Sequence, residues 1–363
     1  MARPGMKIMT VVGARPQFIK AAPFSRALRR RHREVLVHTG QHYDRDMSQQ
    51  FFDQMGIPGP DYNLGVGSGG HGPQTGHMLE RLEPVMLREG PDAVVVFGDT
   101  NSTLAGALAA AKLHIPVAHV EAGMRSFNRR MPEELNRVVT DHLADINLCS
   151  TTTAVANLRR EGISRGLHLV GDIMVDSLKH FLPRPAEARR IMDWRGLKPR
   201  SYILATIHRA ENTDSRERLE EIAAALMGSA LPVLFPVHPR TLACLKSYGL
   251  LARLKRCASI RLSPPLGYRE SLALQSRATA VVTDSGGVQK EAYILGTPCV
   301  TVRDQTEWVE TVRAGWNRLA AADRRRITDA MARASRPARH PRLYGDGRTA
   351  PRIVSLLEAR LGR

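Results

Sequence analysis

Runs of β-branched and aliphatic residues recur along this chain at intervals wide enough for a helix to fit between them. Ile8 to Val12, Glu34 to His38, Ala93 to Phe97, Val117 to Val120, Ile146 to Cys149 and His168 to Val170 form one series. Tyr202 to Thr206, Val233 to Pro236, Ile260 to Leu262, Ala280 to Thr283 and Cys299 to Val302 form a second. Largely continuous apolar runs are what strands covered on both faces require, so the pattern predicts an α/β fold of parallel strands joined by crossover helices. Between the series, Phe181-Leu182-Pro183-Arg184-Pro185 reads as a linker, because two prolines discourage regular structure. The spacing predicts two Rossmann-like domains, residues 1–180 and 181–345. Ile353, Leu356, Leu357 and Leu361 recur at helical spacing, so residues 346–363 are expected to form a closing helix on the first domain. A chain of 363 residues, 43% hydrophobic, can fill two such cores. In open parallel sheets ligands sit beyond the carboxyl ends of the strands, so two facing domains would frame a central cleft with their strand-end loops.

Composition removes several function classes. The formal charge is +18, yet aromatic residues are only 5% and no nucleic-acid-binding motif is found, so no nucleic-acid partner is expected. The arginine clusters, Arg324-Arg325-Arg326 and Arg333 through Arg342, read as a solvated face that modestly favours anionic substrates. No stretch approaches the roughly 20 apolar residues of a membrane span, and no signal-peptide core precedes the first strand; the expected location is the cytoplasm, without membrane insertion. Cys149, Cys244, Cys257 and Cys299 lack C-x-x-C spacing and read as free thiols. There is no H-E-x-x-H, no cysteine–histidine cluster, and no G-x-G-x-x-G after the first strand. Neither a metal nor a tightly held dinucleotide cofactor is expected. The glycine-dense stretch Gly65 to Gly76 is expected to be a mobile loop.

The informative motifs fall at strand ends. Val281-Val282 runs into Thr283-Asp284-Ser285-Gly286-Gly287-Val288-Gln289-Lys290-Glu291, a glycine turn opening a helix. The first N–H groups of such a helix lack intrahelical partners and the dipole adds positive charge, so Ser285, Gly286 and Gly287 form a candidate phosphate seat. Glu291 follows on the same helix within reach of a ribose. A bare structural turn capped by Ser285 is the competing reading. Strand one ends in Gly13-Ala14-Arg15-Pro16-Gln17-Phe18-Ile19-Lys20, where Arg15 offers a fork to phosphate oxygens and Lys20 a point charge. Asp99 follows the third run and Glu121 ends the fourth, while Glu133 and Glu134 open the helix after Pro132. Each has a bland reading as a cap or dipole partner; together they supply the proton donors and acceptors that carbon-acid chemistry needs. His208 with Arg209, and then His238, follow strands of the second series; a lone histidine is more often a structural hydrogen-bonder, but His208-Arg209 beside the Ser285 turn would present two donors to a diphosphate.

In chain order G-A-R-P-Q-F-I-K, T-G-Q-H-Y-D, G-D-T-N-S-T-L-A, H-V-E-A-G-M-R-S, M-P-E-E-L-N-R, H-R-A-E-N-T, P-V-H-P-R-T and T-D-S-G-G-V-Q-K-E-A resemble the non-hydrolysing UDP-N-acetylglucosamine 2-epimerases, from about residue 7 to about 355. The resemblance implies a glycosyltransferase-B-like fold, a homodimer, and interconversion of UDP-GlcNAc and UDP-ManNAc for surface polysaccharide or glycoconjugate synthesis. The implied route is anti elimination of UDP to a 2-acetamidoglucal and re-addition, without cofactor. By the same resemblance Asp99, Glu121 and Glu133 are catalytic acids and bases; His208 and Arg15 hold the diphosphate. Ser285, Gly286 and Gly287 form the phosphate turn, Glu291 contacts the ribose, and Lys20 acts near the nucleotide. Closure about Pro183-Arg184-Pro185 and Tyr344 to Arg348 is also implied. Two departures stand out: Trp308 replaces a common arginine, and the first motif reads P-Q-F-I-K where P-E-A-I-K is frequent. They look more like the branch acting on modified amino sugars. Gln41 and His42 match part of a second, activating UDP-GlcNAc site, but the glycine-rich loop departs from it and no such regulation is expected. The alternatives are a glycosyltransferase of the same architecture, a silent sugar-nucleotide-binding protein and a hydrolysing epimerase.

Overall fold

The computed structural model describes residues 5–41, 52 and 56–362. The chain divides into two compact units, residues 1–180 with 343–363, and residues 181–342.

The first unit is built on a seven-stranded parallel sheet in the order β3-β2-β1-β4-β5-β6-β7. Its strands are β1 (Lys7–Val12), β2 (Arg33–His38), β3 (Tyr62–Asn63), β4 (Ala93–Phe97), β5 (Val117–Ala122), β6 (Ile146–Cys149) and β7 (Leu167–Leu169). One face buries Met9, Val11, Val94 and Val96 with Met78, Leu82 and Met86 from helix His71–Glu89 and Ala105 and Ala109 from helix Asn101–Lys112. Phe24, on helix Arg15–Leu28, meets Phe97 edge-on at 5.8 Å. Burial on both faces explains why β4 reads as an unbroken apolar run. Helix Thr349–Leu361 belongs to this unit; the buried Asp176 carboxylate accepts from the amides of Thr349 at 3.1 Å and Ala350 at 3.0 Å.

The second unit has a six-stranded parallel sheet in the order β10-β9-β8-β11-β12-β13. Its strands are β8 (Ile203–Thr206), β9 (Val233–Pro236), β10 (Ile260–Ser263), β11 (Ala280–Thr283), β12 (Cys299–Thr301) and β13 (Asn317–Leu319). Ile203, Ala205, Phe235, Val282 and Val300 fill one side of this sheet and Tyr202, Leu204, Leu234 and Val281 the other. In both units the strand order reverses beside the first strand, between β1 and β4 and between β8 and β11. The loops after these strands are where an open α/β sheet receives a ligand.

Two expectations change. Gly65 to Gly76 is not one loop, because helix His71–Glu89 begins within it. Gln74 is buried and donates to the carbonyls of Gln41 at 3.1 Å and Gly67 at 2.7 Å, and Met78, Leu82 and Met86 dock the helix against the sheet. That packing overrides the low helix propensity of Gly72 and Gly76. Strands β3 and β13, which the sequence reading missed, are two and three residues long and include exposed positions.

Candidate active site

The first cluster lies at the ends of β1, β4 and β5. A Cβ on Gly13 would fall 1.9 Å from Ser102 Oγ, so only glycine fits the turn after β1. Gln17 anchors that turn: its Oε1 accepts from the Gly13 amide at 2.8 Å, and its Nε2 donates to the Phe97 carbonyl at 2.8 Å. This residue, one of the two departures noted above, therefore ties the end of β1 to the end of β4. Arg15 opens helix Arg15–Leu28 and is partly exposed. One turn further on, the Lys20 ammonium pairs with the Glu121 carboxylate. Both groups also border Gly98, where an added Cβ would lie 3.4 Å from Glu121 Oε2 and 3.5 Å from Lys20 Nζ.

Glu121 sits on a bulge. The β5–β6 register shifts between Val120 and Ala122, and Glu121 itself has φ +72°, a left-handed conformation rare outside glycine. Such strain persists only where surrounding contacts over-determine it, and bulges commonly re-aim a side chain. Here the side chain is 5% exposed and meets Lys20.

Asp99 follows Gly98 and keeps 38% of its side chain exposed. Its carboxylate accepts from Arg137 Nη2 at 2.6 Å and its carbonyl from Asn136 Nδ2 at 3.0 Å. Both donors lie on helix Pro132–Leu143, three and four residues beyond Glu133, so Glu133 occupies the helix face that touches Asp99. The structure thus gathers Lys20, Asp99, Glu121 and Glu133 around Gly98 and one helix face. It separates Glu133 from Glu134: the latter is buried and accepts from the Ser126 and Phe127 amides, each at 2.9 Å, and from Arg137 at 3.0 Å. Arg137 and Asn136 were not singled out from the sequence; their spacing from Glu133 was the available signal. Of the residues matched to a second nucleotide site, Gln41 is buried and accepts from Ser102 Oγ at 2.6 Å. His42 lies outside the described residues.

The second cluster lies at the ends of β8 and β11. Ser285 caps helix Gly286–Ile294, its hydroxyl accepting from the Val288 amide at 3.5 Å. Among the described residues, a Cβ on Gly287 would meet nothing nearer than Ser285 Oγ at 3.9 Å, so the helix N-terminus is open to an anion. The residue that builds the loop is Asp284. It is fully buried, and its carboxylate accepts from the amides of His208 at 3.0 Å and Arg209 at 2.9 Å and from Asn212 Nδ2 at 3.1 Å. Its place just before Ser-Gly-Gly was the only sequence signal. The His208 ring is 3.6 Å from Asp284 and 5.7 Å from the His238 ring. Burial lowers the His208 pKa, Asp284 opposes the shift, and His238 and Arg209 add to it.

Glu291 is buried and accepts from Gln275 Nε2 at 2.8 Å. Burial and the Glu291 carboxylate push the Tyr268 hydroxyl well above the ordinary phenol range, placing that ring beside Glu291. Trp308 brings its indole Nε1 to 3.3 Å from where a Gly286 Cβ would stand, and the Lys290 ammonium lies 4.3 Å from the ring centroid. Beside it, buried Arg303 pairs with Glu307 at 3.0 Å and Glu211 at 3.1 Å.

Among the described residues no group of three or more His, Cys, Asp or Glu side chains is arranged to hold a metal ion, and no helix is long and apolar enough to cross a membrane. The four cysteines are free thiols.

Comparison with known proteins places these clusters in context. The family profile described as UDP-N-acetylglucosamine 2-epimerase matches residues 26–358. The chain is 51% identical over 355 residues to a UDP-N-acetylglucosamine 2-epimerase homolog of Methanococcus maripaludis, covering 97% of this chain and 99% of that one. It is 48% identical over 363 residues to the UDP-2,3-diacetamido-2,3-dideoxy-D-glucuronate 2-epimerase of Pseudomonas aeruginosa, with the same coverage. The crystal structure of Methanocaldococcus jannaschii UDP-GlcNAc 2-epimerase with UDP-GlcNAc and UDP superposes with a TM-score of 0.90 at 42% identity, covering 98% of this chain and 100% of that one.

Proposed function

Because this chain belongs to the UDP-N-acetylglucosamine 2-epimerase family, we propose that it inverts C2 of a UDP-N-acetyl amino sugar, converting UDP-GlcNAc to UDP-ManNAc. The observation that carries the reading is the placing of Asp99 and Glu121 beside Gly98, each paired with a cation, with Glu133 on the helix face that touches Asp99.

The chemistry follows from what those groups can do. The C2 proton is not beside a carbonyl, so its loss must accompany cleavage of the C1–O bond, with positive charge developing at C1. One carboxylate takes the C2 proton, the C1–O electron pair leaves with UDP, and a 2-acetamidoglucal remains. An acid of the same trio returns a proton to the opposite face of C2, and the retained UDP oxygen re-forms the bond to C1. Proton and leaving group are both recovered, so no redox partner is consumed. In this reading Ser285, Gly286, Gly287, His208 and Arg15 hold the departing diphosphate, Lys20 acts near it, and Glu291 accepts from the ribose. A cytoplasmic homodimer is part of the same proposal.

The test is incubation with UDP-GlcNAc in deuterated water, followed by proton NMR. Loss of the C2 proton with appearance of a manno-configured UDP-sugar supports the reading; inertness removes UDP-GlcNAc as substrate. A second reading, a decorated UDP-amino sugar as substrate, is favoured by the 48% identity to the diacetamido-glucuronate epimerase and by Trp308 at the turn. It predicts exchange with the decorated sugar where UDP-GlcNAc gives none. A glycosyltransferase would instead leave C2 untouched.

A further inference from the structure

His119 lies two residues before Glu121 on β5, and its side chain is fully buried. Its Nε2 is 2.7 Å from the Gly98 carbonyl oxygen and its Nδ1 is 2.7 Å from Asp141 Oδ1. A carbonyl can only accept, so Nε2 carries a proton. Asp141 also accepts from Arg125 Nη1 at 2.7 Å and from the Gly123 amide at 3.1 Å, a setting that keeps it ionised and therefore an acceptor. Nδ1 then carries a proton as well. Both ring nitrogens donate, which only the imidazolium can do.

From this geometry we infer that His119 is a buried imidazolium that positions Glu121 against Gly98 and Asp99, a role that rests on the proton-transfer function proposed above. One carboxylate, Asp141, grips the chain on both sides of Glu121, at His119 and at Gly123, across the segment that contains the left-handed bulge. The far edge of the same ring holds the carbonyl just before Asp99. The imidazolium thus links β5 to the end of β4, and the two acids share one anchor.

The groups around the ring permit a trapped cation. Asp141 comes from helix Pro132–Leu143, Arg125 stands behind it, and Glu161 takes Arg125 in a two-bond fork at 2.7 and 2.6 Å. Two cations and two carboxylates balance. Asn147, opposite His119 on β6, donates to the Asp141 carbonyl at 3.1 Å. Burial, with Asp141 nearby, pushes the Cys149 thiol up to about 12, so it stays neutral. Beyond the bulge lies the Lys20–Glu121 pair. Burial alone would raise the Asp141 carboxyl, but His119 and Arg125 outweigh it and hold it low.

The test is histidine ring 15N NMR on the full-length protein, with the His119 signals identified by their loss in His119→Gln. Both ring nitrogens should be protonated in the folded protein, as two donated hydrogen bonds require. Glutamine cannot donate at both ends of the span, so His119→Gln should lose roughly 100-fold in kcat while the UDP dissociation constant stays within about twofold, the signature of misplaced groups. A singly protonated ring at pH 7 overturns the proposal, and the wild-type spectrum decides this even where the variant does not fold. Wild-type kcat in His119→Gln beside an inactive Glu121→Gln overturns it too. Should Glu121→Gln itself retain C2-proton exchange, the functional reading fails instead, while the spectrum still decides the charge on His119.

Discussion

Arg137 donates through Nη2 to the Asp99 carboxylate at 2.6 Å and through Nη1 to Glu134 at 3.0 Å. One guanidinium, 4% exposed, thereby joins a partly open carboxylate at the end of β4 to a closed one that pins the 126–127 loop. Replacing Arg137 with leucine would leave the buried Glu134 charge without its cation. A loss of about 3–5 kcal/mol of stability is expected in denaturant unfolding. Arg137→Lys should fold better yet lose kcat, because a point charge cannot serve two carboxylates in fixed directions.

Asp284 offers a similar test in the second unit. Its carboxylate serves two amides and one side-chain amide around His208. Asp284→Ala would strand these buried donors, at about 1–3 kcal/mol for each one left unsatisfied. Calorimetry should show UDP binding weakened along with stability. Asp284→Asn keeps one acceptor oxygen and should be milder in both measurements.

His208 predicts a pH dependence. Its folded pKa lies below the ordinary 6.5, chiefly through burial, so the ring is neutral in the free protein at pH 7. A bound diphosphate favours the imidazolium. UDP binding should take up a proton, and affinity should fall as pH rises from about 6 to 8. Calorimetry in buffers of different ionisation enthalpy would detect the uptake, and His208→Asn should abolish it. Folding stability runs the other way. The lowered folded pKa means stability is fully present above 6.5 and is lost as pH falls from there through the folded value, since the unfolded chain binds the proton more tightly. His238, lowered by burial and Arg240, adds to the same trend, so the His208→Asn variant should show a shallower loss rather than none.

Gly13→Ala should destabilise the first unit. The new Cβ would lie 1.9 Å from Ser102 Oγ and 2.3 Å from Thr39 Oγ1, and overpacking of this kind costs on the order of 1–3 kcal/mol. Adding Ser102→Ala should recover part of the loss in thermal unfolding, a coupling that distant sites would not show.

The strands that could be read from residues alone are those whose burial leaves no choice of residue. Val94, Val95 and Val96 are fully buried and make an unbroken apolar run. Tyr62–Asn63 and Asn317–Leu319 pair through backbone at a sheet edge and, at two and three residues, are too short to carry a hydrophobic pattern. Likewise Ser285, Gly286 and Gly287 announce a turn into a helix locally, because capping and φ preferences act within a few residues.

What the sequence determined, then, was the alternation of strands and helices, the family, and the acids that end β4 and β5 or open the next helix. Hydrophobic periodicity and turn chemistry are short-range and sit in the chain itself. Only the tertiary structure decided that Glu134 is pinned inside while Glu133 stays partly open, and that Asp284 builds the His208 loop. It alone showed Glu121 on a left-handed bulge whose flanks at Gly123 and His119 are held by Asp141, 18 and 22 residues away, with that histidine bonded at both nitrogens. These depend on which donors meet which acceptors across the fold, and a buried polar group takes its role from partners that chain order does not reveal.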